Sequence, residues 1–133
     1  MRRSILVIML LTAVGGCATL QSSYVGPART GLQPLNLGWE QHLAVTWETG
    51  QQRSGPLVSG YVRNTSPYDL VNIRVLVEAL DAGGQVVEQR VGVLPGELRG
   101  GGRVYFEVPI APASTYRVRV FSYDRLESAG LMS

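Results

Sequence analysis

His42 and Cys17 are the sole histidine and the sole cysteine of this 133-residue chain, so any acid–base or thiol chemistry must begin with them. A histidine works as a general base when an acid orients it and a nucleophile adjoins it. The nearest acid in sequence is Glu40, and nothing around His42 builds a triad, so a structural or surface histidine is expected. The acids Asp69, Glu78, Asp81, Glu88, Glu97, Glu107 and Asp124 are dispersed along the chain. A glycoside-cleaving pair needs two carboxylates roughly 5–10 Å apart across a cleft; these acids read instead as solvated faces paired with arginine. All 12 basic residues are arginine, which leaves no lysine for Schiff-base or ammonium chemistry. Gly100-Gly101-Gly102 lacks the helix and the Lys-Ser/Thr that follow a phosphate-binding loop. One histidine with one cysteine makes no zinc site, and Met132 adds too little to hold copper. The expectation is a non-enzymatic protein with no metal and no cofactor.

Cys17 stands in a setting that does specify chemistry. Arg2 and Arg3 precede the apolar run Ile5-Leu6-Val7-Ile8-Met9-Leu10-Leu11, which exits through Thr12-Ala13-Val14-Gly15-Gly16-Cys17. A positive start, a short apolar stretch and a small-residue exit form a secretory signal. A membrane-crossing helix takes about 20 apolar residues, and Gly15-Gly16 interrupts this run well before that. Val14-Gly15-Gly16-Cys17 resembles the bacterial lipobox, with valine where leucine is commoner. Small residues let an extended backbone enter a peptidase cleft, the Cys17 thiol accepts a diacylglycerol, and cleavage between Gly16 and Cys17 frees an amine for a third chain. Each buried methylene contributes about 0.8 kcal/mol, and two or more chains anchor stably. By resemblance to lipoprotein sorting in Gram-negative bacteria, Ala18 rather than Asp after the cysteine implies the outer membrane, with the domain facing the periplasm. Acylation also consumes the only thiol in an oxidising compartment. Once residues 1–16 are removed, the remaining arginines and the 10 acids balance. A neutral domain lacks the electrostatic drive for nucleic-acid binding.

Downstream, residues 17–41 are punctuated by Gly26-Pro27, Gly31, Pro34 and Gly38 and show no lasting periodicity. This reads as a linker spanning an r.m.s. of roughly 25–30 Å, with Leu32, Leu35, Leu37 and Trp39 available to pack its second half on the domain. From 42 to 124 the apolar pattern has period two, the mark of half-buried strands. Strands are expected at 42–48, 57–63, 71–80, 85–93, 103–110 and 115–123. Asn64-Thr65-Ser66-Pro67 is a turn, and Asp81-Ala82-Gly83-Gly84 is a hairpin loop. The inward sets are Val71, Ile73, Val75, Val77 and Ala79, then Val104, Phe106, Val108 and Ile110, then Tyr116, Val118 and Val120. Residues 125–133 form a tail. Six or seven short antiparallel strands without a helical stripe describe a single all-β sandwich of immunoglobulin or fibronectin type.

The stretch Val58 to Ser66, with Leu70 to Val75, Leu80 to Val87, Leu94-Pro95-Gly96 and Phe106, resembles the FxLYD family over about residues 56–123. Those are small immunoglobulin-like sandwiches of bacterial envelope and secreted proteins. The name motif falls on Val77-Glu78-Ala79-Leu80-Asp81, where Asp81 alone is kept. The resemblance implies Gly60 at a close inter-strand approach, Asn64 shaping a turn and Asp81 opening a hairpin, and it brings no catalytic residues.

One surface stands out as a possible contact site. Arg117, Arg119, Phe121 and Tyr123 alternate with the core residues of the last strand, and Tyr105 and Glu107 face outward on the strand before it. Arginine and aromatics are enriched at interface centres; the alternative is a two-sided sheet face whose side-chain stems pack under a loop or the tether. Exposed edge strands offer a second route to a partner. The expected role is a lipid-anchored binding or adaptor module with an envelope protein as partner. The alternative is an accessory subunit of a larger envelope transport, secretion or wall-synthesis complex.

Overall fold

Period-two alternation becomes strand along most of the domain in the computed structural model, which describes residues 24–127. Gly16, Cys17, the segment before them and Met132 lie outside the described residues. The strands are β1 (Tyr24–Val25), β2 (Leu43–Gln52), β3 (Gly55–Asn64), β4 (Leu70–Leu80), β5 (Val86–Val93), β6 (Glu97–Leu98), β7 (Arg103–Pro109) and β8 (Thr115–Arg125). A single 3-10 turn, Trp39–Gln41, leads into β2. All pairings are antiparallel.

Two sheets face one another. In the larger, β4 is central; β8 runs along one edge, while β5 and then β6 occupy the other, and β1 lies outside β5. The smaller sheet has the order β2-β3-β7. Val58, Val62, Phe106 and Val108 from the smaller sheet meet Val75, Val77, Ala79 and Val120 from the larger, all without solvent exposure. Burying each of the larger side chains contributes about 1.5–3 kcal/mol. This is the all-β sandwich expected from the alternation.

Turn chemistry fixes the connections. Asp81 Oδ1 accepts hydrogen bonds from the Gly83 and Gln85 amides at 2.9 Å, and Gly84 takes φ 80°, so the β4–β5 hairpin is built as its sequence requires. Asn64 is fully buried and uses all its side-chain capacity. Nδ2 donates to the Tyr68 and Leu98 carbonyls, while Oδ1 accepts from the Ser66 amide and hydroxyl. That side chain ties the β3–β4 turn to β6. At Gly60 a Cβ would lie 1.9 Å from the Thr46 carbonyl oxygen, so only glycine lets β2 approach β3 there.

Two irregularities change which residues face the core. Asn72, at φ 53°, sits where the β4–β8 register shifts between Val71 and Arg74. Leu70 and Ile73 are therefore buried, while Val71, expected inward, is only half-buried. A second shift, between Arg74 and Val75, leaves Phe121 as an extra residue in β8. Such a bulge reverses the alternation beyond it. Tyr123 accordingly packs against the core rather than on the outer face with Arg117 and Arg119.

The segment expected as a linker is, from Tyr24 onward, part of the fold. Tyr24 and Val25 pair with Val93 and Gly92, and the chain continues along β5 with Arg29 bridged to Gln89. It then reaches β8, where the Leu35 amide donates to the Phe121 carbonyl at 2.7 Å and the Tyr123 amide to Asn36 Oδ1 at 3.2 Å. Residues 24–36 are thus a strap connecting one edge of the larger sheet to the other.

Candidate functional site

The candidate residues from the sequence do not form one surface, because β7 and β8 belong to different sheets. Arg117, Arg119 and Phe121 lie on the outer side of the larger sheet, Tyr105 lies on the smaller one, and Tyr123 is turned inward. Each group has its own local structure.

On the larger sheet, Glu78 is directly opposite Arg117 on β8 and Gln89 on β5. It is 1% exposed although it alternates with core residues. Arg117 Nε and Nη2 donate to its two oxygens at 3.0 Å, Arg119 Nε donates at 2.9 Å, and Gln89 Nε2 at 3.1 Å. Arg119 Nη2 lies 2.7 Å from Glu78 Oε1 but is not directed along a hydrogen bond, so that contact is one of charge alone. Burial pushes the Glu78 carboxyl up, and the donors from Arg117, Arg119 and Gln89 pull it down further, leaving it below the usual carboxylate value. Gln89 also holds the strap: its Oε1 accepts from the Leu32 amide at 2.7 Å and its Nε2 donates to the Leu32 carbonyl at 2.9 Å. The two arginines therefore neutralise a buried acid that sits beneath the strap. Arg117 and Arg119 thus have a structural part in the sheet, as expected of a two-sided face lying under the tether, while the Arg117 side chain keeps 46% of its surface exposed.

On the smaller sheet, Tyr61 and Tyr105 are direct cross-strand partners with ring centroids 5.3 Å apart. Arg103 stacks its guanidinium 4.3 Å from the Tyr61 ring centre, and the Tyr105 hydroxyl donates to Glu107 Oε1 at 2.9 Å. A hydrogen bond with Ser59 draws the Tyr105 phenol down, but burial and the Glu107 carboxylate outweigh it, and the net shift is upward. Trp47 and Tyr61 are 38% and 37% exposed, and with Tyr105 they line a shallow hollow of about 270 Å³. Trp47 and Tyr61 were not singled out by sequence. The signal for Tyr61 was available: it sits out of phase with Val58, Gly60 and Val62 on β3.

Beside this hollow, β2 pairs with β3 and, among the described residues, with nothing else. Its residues from Thr46 to Gln52 are exposed. The strap bonds to β5 and β8 of the larger sheet, but among the described residues β2 has no such neighbour.

His42 is half-buried, with its ring 6.3 Å from that of Tyr123 in an edge-on contact. Burial raises the Tyr123 phenol above its ordinary value. Among the described residues no three His, Cys, Asp or Glu side chains gather as a metal-binding group, and no helix is long and apolar enough to cross a membrane. Comparison of the chain with protein-family models, curated proteins and solved structures gives no match.

Proposed function

We propose that this chain is a lipid-anchored, non-catalytic binding module of the bacterial envelope. Acyl chains on Cys17 hold it at the outer membrane, and the domain faces the periplasm. Its partner is an envelope protein that offers an extended segment to β2.

The observation that supports this reading is the open edge of β2 beside exposed aromatic rings. Natural sheets guard long edges with lysine, proline, bulges or a covering segment. Here the strand Leu43–Gln52 contains neither lysine nor proline, and its one charge is Glu48. Main-chain hydrogen bonds along such an edge supply affinity, and side-chain pockets supply specificity. Trp47 and Tyr61 are of the residue type that anchors interfaces.

A photoreactive residue placed at Glu48 in intact cells tests the reading. A discrete covalent adduct is expected, and Trp47→Ala should weaken it several-fold while leaving the protein folded. No discrete adduct, or one indifferent to Trp47→Ala, would count against β2 as the binding edge. Comigration of the adduct with a large defined complex on native gels would favour the accessory-subunit alternative over a free-standing binder.

A further inference from the structure

Above the larger sheet, next to the strap, lies a groove of about 430 Å³. Its apolar lining comes from Val91 and Val93 of β5, Phe121 of β8 and Leu32 of the strap. Phe121 reaches it from the position where β8 bulges, and bulges commonly re-aim a side chain in this way. Two arginines, Arg29 and Arg74, line the same groove, and no acidic residue does. Both are exposed. Among the described residues the ion pairs are those of Arg90, Arg117 and Arg119, so neither groove arginine has an acidic partner.

An apolar trough with two uncompensated guanidinium groups suits an apolar chain that ends in an anion. The chain would displace water from Val91, Val93 and Phe121 at about 25 cal/mol per Å². The headgroup would accept forked hydrogen bonds, which guanidinium gives to carboxylate and phosphate alike. A small polar anion would leave the apolar lining wet, and a neutral lipid would leave both charges unmatched. The volume falls within the range of about 300–1,000 Å³ usual for ligand pockets.

We propose that this groove binds a single-chain anionic lipid, with its headgroup on Arg29 and Arg74 and its chain along Val91, Val93 and Phe121. The supply of ligand rests on the membrane-anchor reading. The chain between Cys17 and Tyr24 spans at most about 25 Å when extended, which keeps the groove within reach of the bilayer that holds Cys17.

The test uses the protein purified from membranes in a neutral maltoside detergent and irradiated with diazirine-bearing palmitate. Adducts are expected on the peptides carrying Val91, Val93 and Phe121. Unlabelled palmitate and lysophosphatidate should displace the probe, their relative potency telling carboxylate from phosphate, whereas neutral monopalmitoylglycerol should not. The double substitution Arg29→Ala/Arg74→Ala should cut labelling about ten-fold or more, since it removes both charged donors to the headgroup. Its melting curve should match that of the wild type, because both side chains are exposed, and Arg29→Lys/Arg74→Lys should keep most of the labelling. Equal displacement by monopalmitoylglycerol, undiminished labelling of the alanine variant, or adducts confined to other peptides would overturn the proposal. The mass of the N-terminal peptide in the same sample reports Cys17 separately, so an acylated protein with an unlabelled groove refutes the groove alone.

Discussion

A carboxylate withdrawn from water persists only where other groups replace its hydration, and Glu78 meets four donor atoms, three from arginine and one from Gln89. Losing the acid frees the half-exposed Arg117 to water but leaves the buried Nη2 of Arg119 without its counter-charge. Glu78→Gln should therefore cost about 1–3 kcal/mol near neutral pH, less than breaking a fully buried pair. The sign of the pH dependence follows from the lowered carboxyl. The unfolded Glu78 binds a proton at higher pH than the folded one, so its stabilisation is complete above the ordinary carboxylate value and fades as pH falls through the lowered folded value. Urea unfolding at neutral and acid pH should show the gap between wild type and Glu78→Gln closing in acid; a gap that widens there would contradict this account. Gly60 is a second point of tension, of packing rather than charge. Gly60→Ala puts a methyl where the Thr46 carbonyl oxygen already lies, 1.9 Å from the ideal position. A loss of about 1–3 kcal/mol is expected, measurable as a lower denaturant midpoint, and a neutral result would mean that β2 and β3 are less closely apposed.

The strap is the element that organises the outer face of the larger sheet. Its amides at Gly26, Arg29, Leu32 and Leu35 donate to Val91, Gln89, Gln89 Oε1 and Phe121. Hydrogen exchange should find these four amides protected and opening together, and Gln89→Ala should expose Leu32 first. Exchange of all four at the rate of a free chain would restore the linker reading. The strands themselves were legible because one face of each is buried, and period two is then unavoidable. The strap was not legible, since it carries Gly26-Pro27, Gly31 and Pro34 and, past the two-residue β1, is held by one bridge and scattered bonds instead of a continuing ladder. A trace of it did exist in β4. Leu76 is buried although it alternates with the core set, and an apolar run covering both faces of a strand signals a second cover. The bulges at Asn72 and Phe121 had no comparable signal, which is why Val71 and Tyr123 were assigned to the wrong sides. Tyr105 and the β8 candidates lie on separate surfaces for a topological reason: β7 and β8 are consecutive in sequence but lie in opposite sheets.

At the scale of the whole molecule, the sandwich presents two unlike outer surfaces. The smaller sheet offers Trp47, Tyr61 and an outer edge of β2 that is unpaired among the described residues, suited to an extended protein segment. The larger sheet carries a strap and a groove lined by Arg29 and Arg74, suited to an anionic lipid. Both readings take their setting from residues 14–17, where a cleavage site and an acylated thiol would place the domain at a membrane. Intact and peptide mass spectrometry of the protein isolated from its own envelope tests this most directly. The account predicts a chain that begins at Cys17 and carries a diacylglyceryl group on sulfur with a further acyl chain on the new amine. A chain that still begins at Met1, with a free thiol at position 17, would contradict it.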